Sequence, residues 1–290
     1  MTGGATPAQS ASAAAPSQFP RGTALPSQSP LYWVGQKDRY LRQLLIRDIE
    51  ELTGRRLVVY FANRFRNESS IDQADPAYVT ELLGDVPAGA GVDLMIETNG
   101  GETDSTESIV SVLKSRVSDL RVIVANGAKS NGTLICLAAN AIVMGPISEL
   151  GPIDPAIGGI PCTILSQPTV AATNFALNQL AIYALKQTRK LAAVLLEQGM
   201  LKGRVPADIQ KVVNDLATRD TYFSHGSTID HREAAAIGLN IQYLPPGDPL
   251  WERIWLLYTM YDFDVRRDNY LKVFEGRARS TAVSGATPPK

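Results

Sequence analysis

The stretch VIVANGAKSNGTLICLAANAIVMGPISELGPIDP, residues 122–155, decides how the rest of the chain is interpreted. An apolar run leads to Ser130, which stands between a lysine and an Asn-Gly pair, and a second apolar run follows. The first run predicts a buried strand, and the second predicts a buried helix that begins just after Ser130. A serine at such a junction is either a helix cap or a nucleophile placed at a helix N-terminus.

The segments before this stretch alternate between helical and extended periodicity. Helices are predicted over residues 38–54, 75–86 and 103–117, and strands over residues 55–63, 91–101 and 120–128. Such alternation is typical of an α/β protein with a mostly parallel sheet covered by helices. In that architecture, ligands bind beyond the carboxyl ends of the strands.

Two of these strand ends carry residues suited to acyl-transfer chemistry. Gly100 and Gly101 close one strand, and their backbone N–H groups can approach a ligand with no side chain in the way. Ser130 closes the next strand, so its Oγ and the N–H of Asn131 are expected to face the same crevice. Alone, each motif is explained by a turn or a cap, but together they predict a nucleophile beside an oxyanion hole.

Composition excludes several other classes of function. The chain has 28 basic and 29 acidic residues, so it lacks the charge excess of proteins that bind nucleic acid or anionic membranes. The two cysteines fit neither a disulfide framework nor a zinc site, and we expect small core residues in a reducing compartment. No cofactor or metal is expected. No apolar run reaches the ~18 residues of a membrane helix, and we expect a cytoplasmic protein without membrane insertion.

The two ends of the chain differ in composition from its centre. Residues 1–30 are rich in Ala, Ser, Pro, Gly and Gln and predict a disordered tail, with an organellar transit peptide as the alternative. Residues 276–290 predict a second loose tail. One domain is therefore expected over residues 31–275.

Four stretches of the sequence, residues 32–61, 93–113, 122–155 and 222–241, resemble the serine dehydrogenase proteinase family. That family is a branch of the ClpP/crotonase superfamily and is related to signal peptide peptidase A. The resemblance implies a ClpP/crotonase-like spiral of ββα units, assembled into a homo-oligomer. It also implies that Ser130 is the nucleophile and that Gly100, Gly101 and Asn131 supply the oxyanion donors.

The general base is where the chain departs from the family pattern. Ile153 occupies the region in which ClpP-type enzymes carry a histidine. The signal peptide peptidase branch uses a lysine further along, which makes Lys186 the first candidate and Lys190 the second. His225 is a further candidate if its segment folds back to Ser130.

These residues predict a serine peptidase with a Ser130–Lys186 dyad that acts on extended or loosely folded polypeptides. Two alternatives stay open. One is a catalytically silent oligomeric scaffold with the same fold, which the absent histidine favours. The other is a crotonase-like enzyme that uses the oxyanion hole on an acyl-CoA thioester.

Overall fold

The structure of the protein, a computed structural model, describes residues 29–285. The predicted N-terminal tail, residues 1–30, lies outside this range except for Ser29 and Pro30. The first helix begins at Pro30. Within residues 29–285, no helix combines the length and the apolar character needed to cross a membrane.

Helices account for most of the regular structure in the described range. The α-helices are α1 (Pro30–Gly35), α2 (Lys37–Thr53), α3 (Asp75–Leu83), α4 (Thr103–Arg116), α5 (Asn131–Leu137), α6 (Cys162–Leu165), α7 (Pro168–Thr173), α8 (Phe175–Gln198), α9 (Pro206–Ala217), α10 (His231–Ala236) and α11 (Pro249–Arg267). The strands are β1 (Arg56–Ala62), β2 (Val92–Thr98), β3 (Leu120–Ala128), β4 (Ala141–Met144), β5 (Glu149–Leu150), β6 (Ala156–Ile157), β7 (Ile160–Pro161), β8 (Ile241–Tyr243), β9 (Tyr270–Gly276) and β10 (Ser280–Ser284).

One mixed sheet organises the fold, with the strand order β10-β9-β1-β2-β3-β4-β8. Strands β1, β2, β3, β4 and β8 run parallel, and β9 and β10 add an antiparallel edge. The helices α3, α4 and α5 connect the first four parallel strands in turn, as βαβ units require. The predicted α/β class is therefore confirmed.

The sheet separates two apolar cores because successive side chains of a strand point to opposite faces. On one face, alternate residues of the central strands, such as Leu94 and Val122, pack beneath α3, α4, α5 and α9. On the other face, residues such as Met95 and Ile123 pack beneath α2 and α11. Cys136 and Cys162 are both fully buried and unpaired, as the sequence predicts.

The C-terminal boundary predicted from composition is wrong. Residues 280–284, assigned to a loose tail, form β10 and pair with β9, with Thr281 opposite Phe274. The segment 280–284 is rich in small residues and carries little apolar periodicity of its own. Its strand conformation depends on the partner strand, which composition does not reveal.

We expect removal of β10 to destabilise the protein. A chain ending at Arg279 exposes the hydrogen-bonding edge of β9 and part of the core beneath Val283, which should lower the free energy of unfolding by roughly 2–4 kcal/mol. Urea denaturation followed by tryptophan fluorescence measures this change against a chain ending at Gly285. Equal free energies of unfolding for the two chains would show that residues 280–284 do not stabilise the fold and would support the loose tail predicted from composition.

Candidate active site

The carboxyl ends of β2 and β3 meet at one edge of the sheet and bring the two sequence motifs together. Thr98 lies opposite Ala128, and the N–H of Lys129 donates to the carbonyl of Thr98 at 3.0 Å. Gly100 and Ser130, each two residues beyond this pair, are in direct contact.

Ser130 has a backbone conformation that non-glycine residues rarely adopt, with φ 53° and ψ −120°. It forms a sharp turn between β3 and α5, in which the N–H of Gly132 donates to the carbonyl of Lys129 at 2.8 Å. Its side chain caps nothing, and Oγ makes no hydrogen bond to any residue from 29 to 285. Such strain at a serine between a strand and a helix is typical of a nucleophile elbow.

Gly100 lets the backbone approach the serine closely. Its φ is +98°, and a Cβ on this residue would lie 2.7 Å from the Cβ of Ser130 and 3.0 Å from the nitrogen of Asn131. Any side chain here would displace the serine, and the φ angle itself favours glycine.

The structure distinguishes the three predicted oxyanion donors from one another. The N–H of Gly100 already donates to Oγ1 of Thr98 at 3.1 Å. The N–H groups of Gly101 and Asn131 have no acceptor within the described residues, and Asn131 is the first residue of α5. Gly101 and Asn131 are thus the available donors, while Gly100 provides the close approach.

His225 forms a pair with a buried carboxylate. Its Nδ1 lies 2.7 Å from Oδ1 of Asp154, and Nε of Arg219 donates to Oδ2 of the same carboxylate at 2.8 Å. Burial alone would raise the pKa of Asp154, but the bonds to His225 and Arg219 outweigh burial and hold this pKa below its ordinary value. Asp154 therefore stays ionised beside the imidazole at neutral pH.

Lys129 joins the turn at Ser130 to the segment that carries His225. Its Nζ donates to the carbonyls of Leu150 and Ser227, each at 3.1 Å, and lies 2.9 Å from Oε2 of Glu149. These three acceptors match the three hydrogens of an ammonium group, so this amine is not free to accept the serine proton. The backbones of Leu150 and Ile229 also exchange hydrogen bonds, which fixes the same segment.

The two lysines predicted as bases lie on α8 and are exposed. The buried residues of α8 include Ala181 and Thr188, and at 100° per residue Lys186 lies on the opposite side of the helix from both. Lys190 is likewise exposed. Neither lysine makes a hydrogen bond or ion pair within residues 29–285. The structure therefore brings together Ser130, Gly100, Gly101 and Asn131, but not Lys186.

Ile153 fills the position where a histidine was expected and is 3% exposed in the core. The residue after it, Asp154, is the one that meets His225. The sequence alone points to His225 but not to its partner Asp154, because 71 positions separate the two residues in the chain.

A charged network lies beside the glycine loop, which consists of Gly100 and Gly101. Arg64 reaches Glu97 at 3.3 Å, Glu149 at 3.0 Å and Oδ1 of Asn99 at 2.7 Å. These side chains line a cavity of about 390 Å³ together with Phe61, Ala62, Phe65, Asn126, Tyr258 and Asp262. No group of three or more His, Cys, Asp or Glu side chains in the described part of the chain is placed to hold a metal ion.

Glu97 should make stability depend on pH. Burial raises its pKa to about 7, with Arg64 and the N–H of Gly127 opposing the rise only in part. The folded chain then binds this proton more tightly than the unfolded chain, whose glutamate pKa is about 4.3. The Glu97 contribution to the free energy of unfolding should therefore fall as pH rises from about 5 to about 8.

Urea denaturation across that pH range tests this expectation. In Glu97→Gln the decline of stability with pH should be shallower than in the wild type. Glu81→Gln, a surface change with a side chain 59% exposed, should leave the decline unchanged. The same pH slope in wild type and Glu97→Gln would contradict the raised pKa.

Comparison with known proteins gives matches at the level of sequence and of structure. The model of the ClpP-like SDH-type serine proteinase family matches residues 70–268, which is more than half of the chain. "Uncharacterized protein MJ0137" of Methanocaldococcus jannaschii is 28% identical over 195 residues, which are 67% of this chain and 66% of that protein. "Uncharacterized protein MJ1495" of the same organism is 32% identical over 126 residues, which are 40% of this chain and 42% of that protein.

Among solved structures, ClpP1 from Listeria monocytogenes is 18% identical to the chain, with a TM-score of 0.42. The match covers 69% of this chain and 98% of that one. The ClpP-like character of the matching sequence family agrees with the ClpP/crotonase-like fold expected from the sequence, and that prediction is confirmed.

Proposed function

The chain belongs to the ClpP-like SDH-type serine proteinase family, and on that premise we propose a peptidase in which Ser130 is the nucleophile and His225 is the general base. The observation that carries the proposal is the strained backbone of Ser130 between the free N–H groups of Gly101 and Asn131. A cap or a simple turn does not require that strain, because the Ser130 side chain caps nothing.

The reaction follows from these groups. Ser130 Oγ attacks the substrate carbonyl carbon while its proton passes to His225, and the carbonyl oxygen becomes an oxyanion that accepts from Gly101 and Asn131. The protonated imidazole then donates that proton to the leaving amine as the peptide bond breaks, which leaves an acyl ester on Ser130. Water, deprotonated by the same imidazole, hydrolyses the ester and restores the serine.

His225 is preferred to Lys186 as the base because of its contacts. Asp154 binds Nδ1 of the imidazole, which leaves Nε2 as the nitrogen that can accept a proton from Ser130. Lys129 and Glu149 bind residues 227 and 228 and so hold the histidine segment against the turn that contains Ser130. Lys186 is exposed on α8 and makes no hydrogen bond or ion pair within residues 29–285, so no such contact directs its amine toward Ser130.

Extended or loosely folded polypeptides are the substrates we propose, since the family is one of proteinases. We also propose assembly into a homo-oligomer. Three large apolar side chains of α8 support it: Phe175, Leu180 and Tyr183 are each more than half exposed, which is unusual on the surface of a monomer. Burial of this helix face by a second copy would remove them from water.

Ser130→Ala tests the nucleophile. This variant should lose all labelling by a fluorophosphonate probe, measured by intact mass, and all hydrolysis of an unfolded protein substrate. Its stability should change by less than about 1 kcal/mol, because the lost Oγ bonds no helix N–H. Hydrolysis that persists in Ser130→Ala would exclude the peptidase proposal, and a wild-type chain that folds but is never labelled would favour the scaffold alternative.

His225→Gln and Lys186→Met test the base. The glutamine variant should reduce the labelling rate of Ser130 by about 10²-fold or more, the usual contribution of a general base, whereas the methionine variant should label at the wild-type rate. Stopped-time labelling with intact-mass detection gives both rates, and Lys190→Met serves as a second control on the same helix face. Loss of labelling in Lys186→Met alone would restore the dyad predicted from the sequence.

A further inference from the structure

Lys272 is a buried cation that the proposed reaction does not use. It lies on β9, almost 200 positions from its partners, and its side chain is only 2% exposed. Its Nζ lies 2.7 Å from Oδ2 of Asp72 and 2.8 Å from Oδ1 of Asp75. Asp75 is itself 1% exposed, and it also accepts a hydrogen bond from the hydroxyl of Tyr60 at 2.6 Å.

The segment held by this cluster reaches the glycine loop of the active site. The N–H of Asp72 donates to Asp75 at 3.0 Å, which fixes the peptide that joins Ile71 to Asp72. Ile71 in turn donates its N–H to the carbonyl of Gly100 and accepts from the N–H of Glu102, each at 2.9 Å. A Cβ on Gly101 would lie 2.3 Å from the carbonyl oxygen of Ile71, so the two backbones are in full contact.

The contact at Gly100 sets the direction of the oxyanion donor. The carbonyl of Gly100 and the N–H of Gly101 belong to one planar trans peptide, in which C=O and N–H point in opposite directions. When Ile71 binds the carbonyl from one side, the N–H of Gly101 must point to the other side. A small rotation of this peptide would move the donor away from the developing oxyanion.

From these contacts we infer that Lys272 is a positioning residue of the active site, acting through Asp72, Asp75 and Ile71 on the Gly101 N–H. The inference rests on the proposed function of Ser130. A buried ion pair contributes little net stability compared with apolar packing of the same volume, because desolvation offsets the attraction between the charges. The cluster is better explained by the position it gives to residues 71–75 than by the stability it adds.

The test compares two variants that each remove the ion pairs of one buried cation that involve β9. Lys272→Met/Asp75→Asn removes the cluster described above without leaving a buried unpaired charge, because the remaining carboxylate, Asp72, is 48% exposed. Arg42→Met/Glu275→Gln is the matched control. Arg42 pairs with the fully buried Glu275 at 2.6 Å and with Asp264, which keeps Arg267 as a partner at 3.1 Å, and none of these ion pairs involves residues 71–75 or the glycine loop. Urea denaturation establishes the folded fraction of both variants at the assay temperature.

The readout is the reaction of a fluorophosphonate with Ser130, resolved into the maximal rate of phosphonylation and the half-saturating probe concentration. In Lys272→Met/Asp75→Asn the maximal rate should fall by about tenfold or more with little change in the half-saturating concentration, because the donor acts on the transition state. A peptide boronate, whose tetrahedral adduct occupies the oxyanion hole, should bind this variant more weakly by a similar factor. The control variant should keep the wild-type values of all three.

Equal losses in both variants, or an unchanged maximal rate in the Lys272 variant, would overturn the inference. If the double variant does not fold, Asp72→Asn replaces it, since the Asp72 side chain is 48% exposed and its change leaves Asp75 paired with Lys272. A smaller fall in the maximal rate is then expected, and no fall again overturns the inference. If the proposed function itself is wrong, the results differ from these: the wild type would not be labelled, or Ser130→Ala would still hydrolyse substrate.

Discussion

The contact between the backbone of Gly100 and Ser130 is the constraint on which the rest of the site depends. It requires parallel strands β2 and β3 to end side by side and a residue without Cβ at position 100. It also requires an irregularity, since β3 advances four residues from Val124 to Ala128 while β2 advances two from Ile96 to Thr98. Without the two extra residues of this bulge, Ser130 would not lie opposite the glycine loop. Bulges often re-aim a side chain beside an active site in this way.

The segments beyond the strand ends are irregular, and charged side chains link them. Arg64 connects Glu97 to Glu149, Lys129 connects the turn at Leu150 to the histidine segment, and Lys272 connects β9 to residues 71–75. Arg64 and Lys129 each bind acceptors from two separate parts of the chain, and Lys272 binds two acceptors of one segment that is distant from its own strand. Loops cannot form the regular hydrogen bonds of a sheet, so side-chain donors satisfy their carbonyls and carboxylates instead. Polar contacts therefore set the position of the groups in the proposed site, whereas the two apolar cores set the position of the strands.

What the sequence predicts well is local. The bounds of β3 and the turn at Ser130 follow from apolar periodicity and from the residues that interrupt it, and both agree with the structure. The apolar residues that recur at helical spacing in α2 are only partly buried, because Leu44 is buried whereas Leu41 and Leu52 are 41% and 50% exposed. Periodicity shows which residues share a face of a helix, but not how far along that face the neighbouring elements extend.

What the sequence does not predict is set by contacts between distant residues. The β9–β1 pairing joins segments about 200 positions apart, and no local pattern in residues 270–284 reveals that partner. Nor does a local pattern predict the hydrogen bond between His225 and Asp154, or the one that the N–H of Gly100 donates to the side chain of Thr98. A lysine base was inferred from the family alone, and its suitability depends on burial, which a helical repeat of apolar residues does not determine.

The groups of the proposed site differ in how firmly they are held, and this difference bears on the mechanism. Gly100 is held by the bond from Ile71 to its carbonyl, the side chain of Asn131 donates to the carbonyl of Gly101, and Asp154 is 1% exposed. The imidazole of His225 is 38% exposed and is bound at Nδ1 alone. Ser130 Oγ makes no hydrogen bond within residues 29–285, so in the proposed mechanism the contact between this hydroxyl and His225 forms only when substrate binds, as catalytic hydrogen bonds often do. In that mechanism, a substrate carbonyl bound at the N–H groups of Gly101 and Asn131 would meet a formed oxyanion hole before Ser130 is activated.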